Sequence, residues 1–283
     1  MKKQQFILVG SGFVLLLLIY FFGNTTPPRK PVPAAVGDGT AAPPLTAEAV
    51  VDAAKQKLSP SRQAYVNGLQ TAVVRGDVKD QQIKVYRQLA VFWRDSAHFF
   101  EPYAYYTGAA AKLENSEKSL TFAARQFLNE LQGTNQLPVK QWMANEAKDL
   151  FTRALELNPG NDSSKVGLGS CYIFGSSAAN PQEIMTGIQK ILEVARRDST
   201  NMYAQLMLGV GGVVSGQLDK AIERLTKVAA REPDNLEAIF MLAEAYERKG
   251  DNAGAVHWYE TGKKYVADPR MKQEINDKIK SLQ

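Results

Sequence analysis

His98, His257 and Cys171 are the residues in this 283-residue chain whose types most readily do chemistry, and each stands apart from the others. The two histidines fall in separate helical stretches with no second His or Cys at ligand spacing. That argues against a metal centre and for surface or groove-edge histidines. Cys171 lies in an apolar stretch with no neighbour to lower its pKa, so it reads as a small buried hydrophobe rather than a nucleophile. As the only cysteine it also excludes an intrachain disulfide framework and a thiolate zinc cluster. Gly209-Val210-Gly211-Gly212 has the composition of a phosphate loop, yet it sits inside a helical pattern and not between a strand and a helix. Three glycines in four residues cost a helix on the order of 1 kcal/mol each, so they mark close helix packing, local softness or the close approach of a partner. Arg75-Gly76-Asp77 is an ordinary interhelical turn, and Asn24-Thr25-Thr26 and Asn161-Asp162-Ser163 match a glycosylation pattern too common to use. No nucleophile–base pair, metal cluster or phosphate loop emerges, so the expectation is a non-enzymatic protein without a cofactor.

Charge narrows the partner class further. Lys2, Lys3, Arg29 and Lys30 against Asp38 put +3 of the formal +5 in residues 1–45, leaving +2 over the other 238. The remainder is close to neutral, and a nucleic-acid partner is not expected. Residues 236–283 hold eight Lys or Arg and eight Asp or Glu, which is a solvated face. The aromatic run Phe99, Phe100, Tyr103, Tyr105 and Tyr106 either lines a peptide site or packs between helices, and packing is the commoner use.

The elements that position these residues repeat. From Met202 to Pro269 the sequence recurs with a period of 34: Leu208-Gly209 returns as Leu242-Ala243, Gly216 as Gly250, Ala221 as Ala255, and Leu225 as Tyr259. Each unit reads as two amphipathic helices around a short turn, with small residues where the helices cross and Asp or Pro at the end. On these residues the chain resembles a tetratricopeptide-repeat (TPR) protein, most closely over its C-terminal third. The resemblance implies an all-α, right-handed superhelix of helix-turn-helix units that holds partners. Unit boundaries are expected at 162–201, 202–235 and 236–269, the first stretched by residues 175–180. Met271, Ile275, Ile279 and Leu282 then form the apolar stripe of a capping helix over 270–283.

In TPR proteins the first helix of each unit lines the concave surface. Carried onto this chain, the resemblance implies that Val166, Ser170 and Ile173, then Tyr203, Leu206, Val210 and Val213, then Glu237, Phe240, Glu244 and Glu247 are exposed on the inner wall and bind the partner. Members that clamp acidic peptide tails carry Lys and Asn there. Apolar residues and Glu instead suit a hydrophobic or mildly basic polypeptide segment. The alternative occupants are the array's own helices or a second copy of the chain, which would make it a self-associating platform.

Upstream, the helical pattern continues through 46–135 with less regularity. Helices are expected over Thr46–Leu58, from Ser59-Pro60 to Arg75 with Tyr65, Leu69 and Val73 on one face, from Asp80 to Phe99 with Pro102 closing it, and over Tyr103–Leu113 and Ser116–Leu131. A further helix carries Ala147, Leu150, Phe151 and Ala154 and stops at Asn158-Pro159-Gly160. Asn180-Pro181-Gln182-Glu183 starts the next second helix as a capping box. Counting back from Pro159 makes Ser116–Leu131 a first helix; counting forward from Gly76-Asp77 gives the opposite phase.

At the N-terminus Lys2 and Lys3 precede an uncharged apolar run from Phe6 to Phe22, whose 17 residues span roughly 26 Å as a helix. Phe21 and Phe22 occupy the place where signal cleavage needs small residues, so residues 1–23 are expected to be a retained transmembrane anchor. A cleaved signal peptide is the alternative. Six prolines between Asn24 and Leu45 make residues 24–45 an extended spacer of roughly 70 Å. The Lys pair favours a cytoplasmic N-terminus, with the bulk of the chain outside, in a bacterial-type periplasm. The layout is similar to that of periplasmic TPR factors in protein export, envelope assembly or cytochrome maturation, and the expected function is a membrane-anchored protein–protein scaffold.

Overall fold

The computed structural model describes residues 45–75, 78–175 and 180–283, all within the compact unit Pro44–Gln283. The apolar run Phe6–Phe22, the proline-rich segment to residue 44 and the Gly76-Asp77 turn lie outside the described residues. Among those described there are thirteen α-helices and no strand, and no helix is long and apolar enough to cross a membrane.

The helices are α1 (Ala47–Lys55), α2 (Pro60–Arg75), α3 (Lys79–Val91), α4 (Phe100–Glu114), α5 (Glu117–Gly133), α6 (Leu137–Leu157) and α7 (Asp162–Gly175). They continue with α8 (Pro181–Arg197), α9 (Met202–Val214), α10 (Leu218–Arg231), α11 (Leu236–Arg248), α12 (Asn252–Lys263) and α13 (Pro269–Leu282). The closest packing joins consecutive helices as the pairs α3–α4, α5–α6, α7–α8, α9–α10 and α11–α12. Glu117–Gly133 is therefore a first helix, and the phase counted back from Pro159 is the correct one. The forward count fails because α3 packs chiefly on α4 and less on α2.

The repeat is written in the backbone as well as in the side chains. The Oδ1 atoms of Asn161, Asn201 and Asn235 accept from the N–H three residues on, at 2.9, 3.0 and 3.0 Å, capping three successive first helices. Gly216 and Gly250, 34 apart, take φ of 78° and 82° in the turns inside their units, where any side chain would be strained. Asn180 caps α8 by accepting from the Glu183 N–H at 3.4 Å. At the C-terminal end Ile275 and Ile279 of α13 bury against Val266, Phe240 and Tyr259, whereas Met271 stays exposed.

Two local expectations need correction. Val66, not Tyr65, is the residue α2 buries, because α2 turns its Val66 side towards α1, α3 and α4; Tyr65 is 51% exposed and lies against Phe92 at 5.3 Å between ring centroids. The helix begun at Lys79 is not closed by Pro102. It passes at Phe92 into a π-helical turn through Ala97 and is stopped by His98, which adopts the left-handed conformation at φ 59°. Pro102 instead sits in the first turn of α4, where its missing N–H costs nothing. Part of the aromatic run resolves as packing, Phe99 meeting Trp93 edge-on at 5.9 Å, while Tyr105 and Tyr106 border a cavity.

Candidate functional site

The first helices α5, α7, α9 and α11 touch one another in succession, and this contact decides the fate of the expected inner wall. Val166, Ser170, Ile173, Leu206, Val210 and Val213 are buried, so their expected exposure is corrected: they fill the space between the helices that carry them. Ile173 shows how. Its side chain reaches the backbone gaps left by Gly187 on α8 and Gly211 on α9, leaving beside it only a small pocket of about 200 Å³ that runs to Leu192 and Lys220 of the second helices. Ser170 is satisfied internally, its hydroxyl donating to the Val166 carbonyl at 2.9 Å. The apolar residues join one core cluster, with Tyr203 packed part-buried at its edge.

Charged residues also stand along this inner face. The Arg125 guanidinium of α5 sits over the Tyr203 ring at 5.8 Å, and burial pushes the Tyr203 phenol up to about 12. Glu237 stands at the start of α11, three units on from α5. Although its side chain reaches solvent, partial desolvation raises the Glu237 pKa. A carboxyl whose pKa is higher folded than unfolded costs stability as pH rises from its ordinary value through the raised one. Glu237→Gln should therefore raise the melting temperature at pH 7, and thermal melts should show the difference shrinking below the ordinary carboxylate range.

The remaining expected residues are engaged elsewhere. Glu247 binds Lys278 of the capping helix at 2.6 Å and accepts from the Tyr259 hydroxyl at 3.3 Å. Glu244 lies 3.6 Å from Arg248, and Phe240 packs on Tyr259 at 6.4 Å beneath the cap. Cys171 is buried, and burial pushes its thiol far up, away from nucleophilic use.

The open surface lies at the other end, along α3. No contact comparable to those between later first helices joins α3 to α5, and two grooves flank α3 instead. One, of about 980 Å³, runs between α2 and α3 beside Arg62, Tyr65, Lys84 and Phe92. The other, of about 600 Å³, crosses from α3 to α5 over a floor of Ala110 and Ala111 and reaches Arg94, Lys118 and Phe122. Arg87, Val91 and Glu114 line both.

Large apolar side chains stand uncovered here: Tyr65 at 51%, Val91 at 49% and Phe122 at 53% exposure. Cations outnumber carboxylates around them. Arg87 holds Glu114 at 2.7 Å, and Arg94 grips Asp95 through two hydrogen bonds of 2.7 and 3.0 Å while lying over Tyr103. Among the described residues Arg62, Lys84 and Lys118 have no carboxylate partner. The π-helical turn presents Phe92 and Ser96 to one groove and Arg94 to the other. Such turns often mark working parts of helices. None of these residues was expected as a site. The available signal was the spacing Lys84, Arg87, Val91, Arg94, which runs along one helical face.

The paired helices and their succession define an all-helical repeat solenoid. The tetratricopeptide-repeat family profile matches residues 215–273, so that stretch is similar to a tetratricopeptide repeat. Among solved structures, the thermophilic TPR protein TTC0263 of Thermus thermophilus shares the fold at a TM-score of 0.52, with 16% identity over 72% of this chain and 98% of its own. PilW, a type IV pilus biogenesis factor, gives 0.48 with 18% identity over 71% and 85%. YrrB, a TPR protein with an unusual peptide-binding site, gives 0.41 with 14% identity over 82% and 100%. No curated protein sequence matches the chain.

Proposed function

We propose that this chain is a non-enzymatic, membrane-anchored scaffold that holds polypeptide partners, and that they dock along α3 rather than on the inner face of the C-terminal units. The observation that carries this reading is the contrast between the two ends: side chains fill the inner face from α7 to α11, while α3 is flanked by open grooves with three uncovered apolar residues. The fitting partner is an acidic segment with apolar anchors, because Arg62, Lys84 and Lys118 lack carboxylates and Tyr65, Val91 and Phe122 offer apolar contact. This replaces the hydrophobic or mildly basic segment that suited the expected inner wall.

Val91→Glu places a carboxylate in both grooves at an exposed position, so the protein stays folded. It should weaken binding of a labelled acidic peptide bearing Phe and Leu by about tenfold, consistent with a central interface residue. Wild-type binding should fall with rising salt. Equal binding of the charge-reversed peptide, or a folded Val91→Glu protein with unchanged affinity, would overturn the assignment.

The anchoring half of the reading rests on Lys2, Lys3, the run Phe6–Phe22 and the proline-rich spacer. It places the solenoid on the periplasmic side of a bacterial-type inner membrane, serving envelope assembly or export. Fusions at Gln283 should give active alkaline phosphatase and a dark fluorescent protein; the reverse pattern would put the solenoid in the cytoplasm.

A further inference from the structure

Behind α3, on the side away from the two grooves, four helices enclose a separate cavity of about 230 Å³. Its floor is apolar, made by Val51 of α1 and Leu89 of α3, both buried. Its walls are three tyrosines, Tyr86 from α3 and Tyr105 and Tyr106 from α4. The Tyr86 and Tyr106 centroids lie 6.0 Å apart at 31°, and those of Tyr105 and Tyr106 lie 5.1 Å apart at 59°, so the rings do not stack flat but turn different faces. Gln70 of α2 donates to the Tyr106 hydroxyl at 2.8 Å and fixes that ring. Two carboxylates of α1, Glu48 and Asp52, stand one helical turn apart at the exposed mouth. Asp52 binds Lys55 at 2.9 Å; Glu48 has no cationic partner among the described residues.

Each part answers to one property of a ligand. The negative faces of tyrosine rings attract a cation, most strongly one that sheds water easily. An apolar floor repels a bare, strongly hydrated ion and accepts methyl groups. Burial raises the pKa of Tyr105 and pushes Tyr106 up to about 12, so both phenols stay neutral at physiological pH and add no charge. The mouth carboxylates supply the countercharge. We propose that this cavity binds an alkylated ammonium group, held over the faces of Tyr86, Tyr105 and Tyr106 with Glu48 and Asp52 as counter-ions. The group belongs either to a small quaternary amine or to a methylated lysine side chain.

Calorimetric titration of the full chain with choline tests this against 3,3-dimethylbutan-1-ol, which has the same shape without the charge. Choline should bind at least about tenfold more tightly than the alcohol, the scale of a desolvated cation–π contact. Equal affinity for the two, or no binding of choline and of a trimethyl-lysine peptide alike, would overturn the proposal. Tighter binding of the peptide than of choline assigns the ammonium to a protein partner; the reverse assigns it to a free amine. Tyr105→Leu should reduce binding about tenfold while Tyr105→Phe retains it. Should Tyr105→Leu fail to fold, the surface pair Glu48→Gln and Asp52→Asn decides: a folded double variant with unaltered choline affinity refutes the site.

Discussion

Val213→Asp is expected to unfold the C-terminal units or to reduce stability by about 3–5 kcal/mol, the cost of forcing a poorly paired charge into a core. Val213 is only 1% exposed and belongs to the main core cluster, with the Arg248 guanidinium donating to its backbone carbonyl. The introduced carboxylate would lose its water within that apolar cluster, and the neighbouring Arg248 guanidinium is already engaged by the Val213 carbonyl and by Glu244. Leu206→Asp should behave in the same way, for Leu206 lies in the same cluster. The open inner wall expected from the resemblance predicts otherwise: a folded protein with weakened partner capture. Urea denaturation separates the two. A large fall in midpoint supports the filled wall, whereas a wild-type midpoint with lost binding would restore the groove at these residues. Val91→Glu is the matching control, since α3 leaves that position half exposed.

The second large effect belongs to Gly169. Here α7 and α8 cross backbone to backbone: a Cβ on Gly169 would stand 2.7 Å from the carbonyl oxygen of Gly187 and 2.6 Å from Cγ1 of Ile191. A side chain can swing aside, but a helical carbonyl cannot, so Gly169→Ala must push the two helices apart. Overpacking of this kind costs about 1–3 kcal/mol, more than the roughly 0.5–1 kcal/mol that alanine returns as a better helix former. Gly211→Ala is the contrast. Its Cβ would meet Ile173 at 3.4 Å, an ordinary contact, so the substitution should leave stability unchanged or raised by up to about 1 kcal/mol. Melting temperatures of the two variants should move in opposite directions or differ clearly. A tolerated Gly169→Ala would show that this crossing is looser than the geometry implies.

The glycine-rich stretch Gly209-Val210-Gly211-Gly212 illustrates what local pattern can and cannot reveal. Close helix packing was the commoner use of such a stretch, and Gly209 does lie against Leu225 and Gly212 against Ala221, both on α10. That these glycines face their own second helix while Gly211 faces α7 depends on the angle between units, which no 34-residue pattern records.

The sequence by itself determined the helical class, the 34-residue period, the Asn180 cap, the turn glycines, and the capping role of Ile275 and Ile279. These follow from interactions within one helix or between neighbours in the chain, where spacing translates directly into geometry. Only the tertiary structure decided which face stays open. Whether Val213 lines a groove or fills one depends on how closely α9 approaches α7 and α11, a sum of small rotations over several units. The exposure of α3 likewise follows from the lack of a substantial contact with α5 and from a π-helical turn that no residue type in Phe92–Ala97 announces. Burial is a property of the neighbours a side chain meets, and in a solenoid half of those neighbours belong to another repeat.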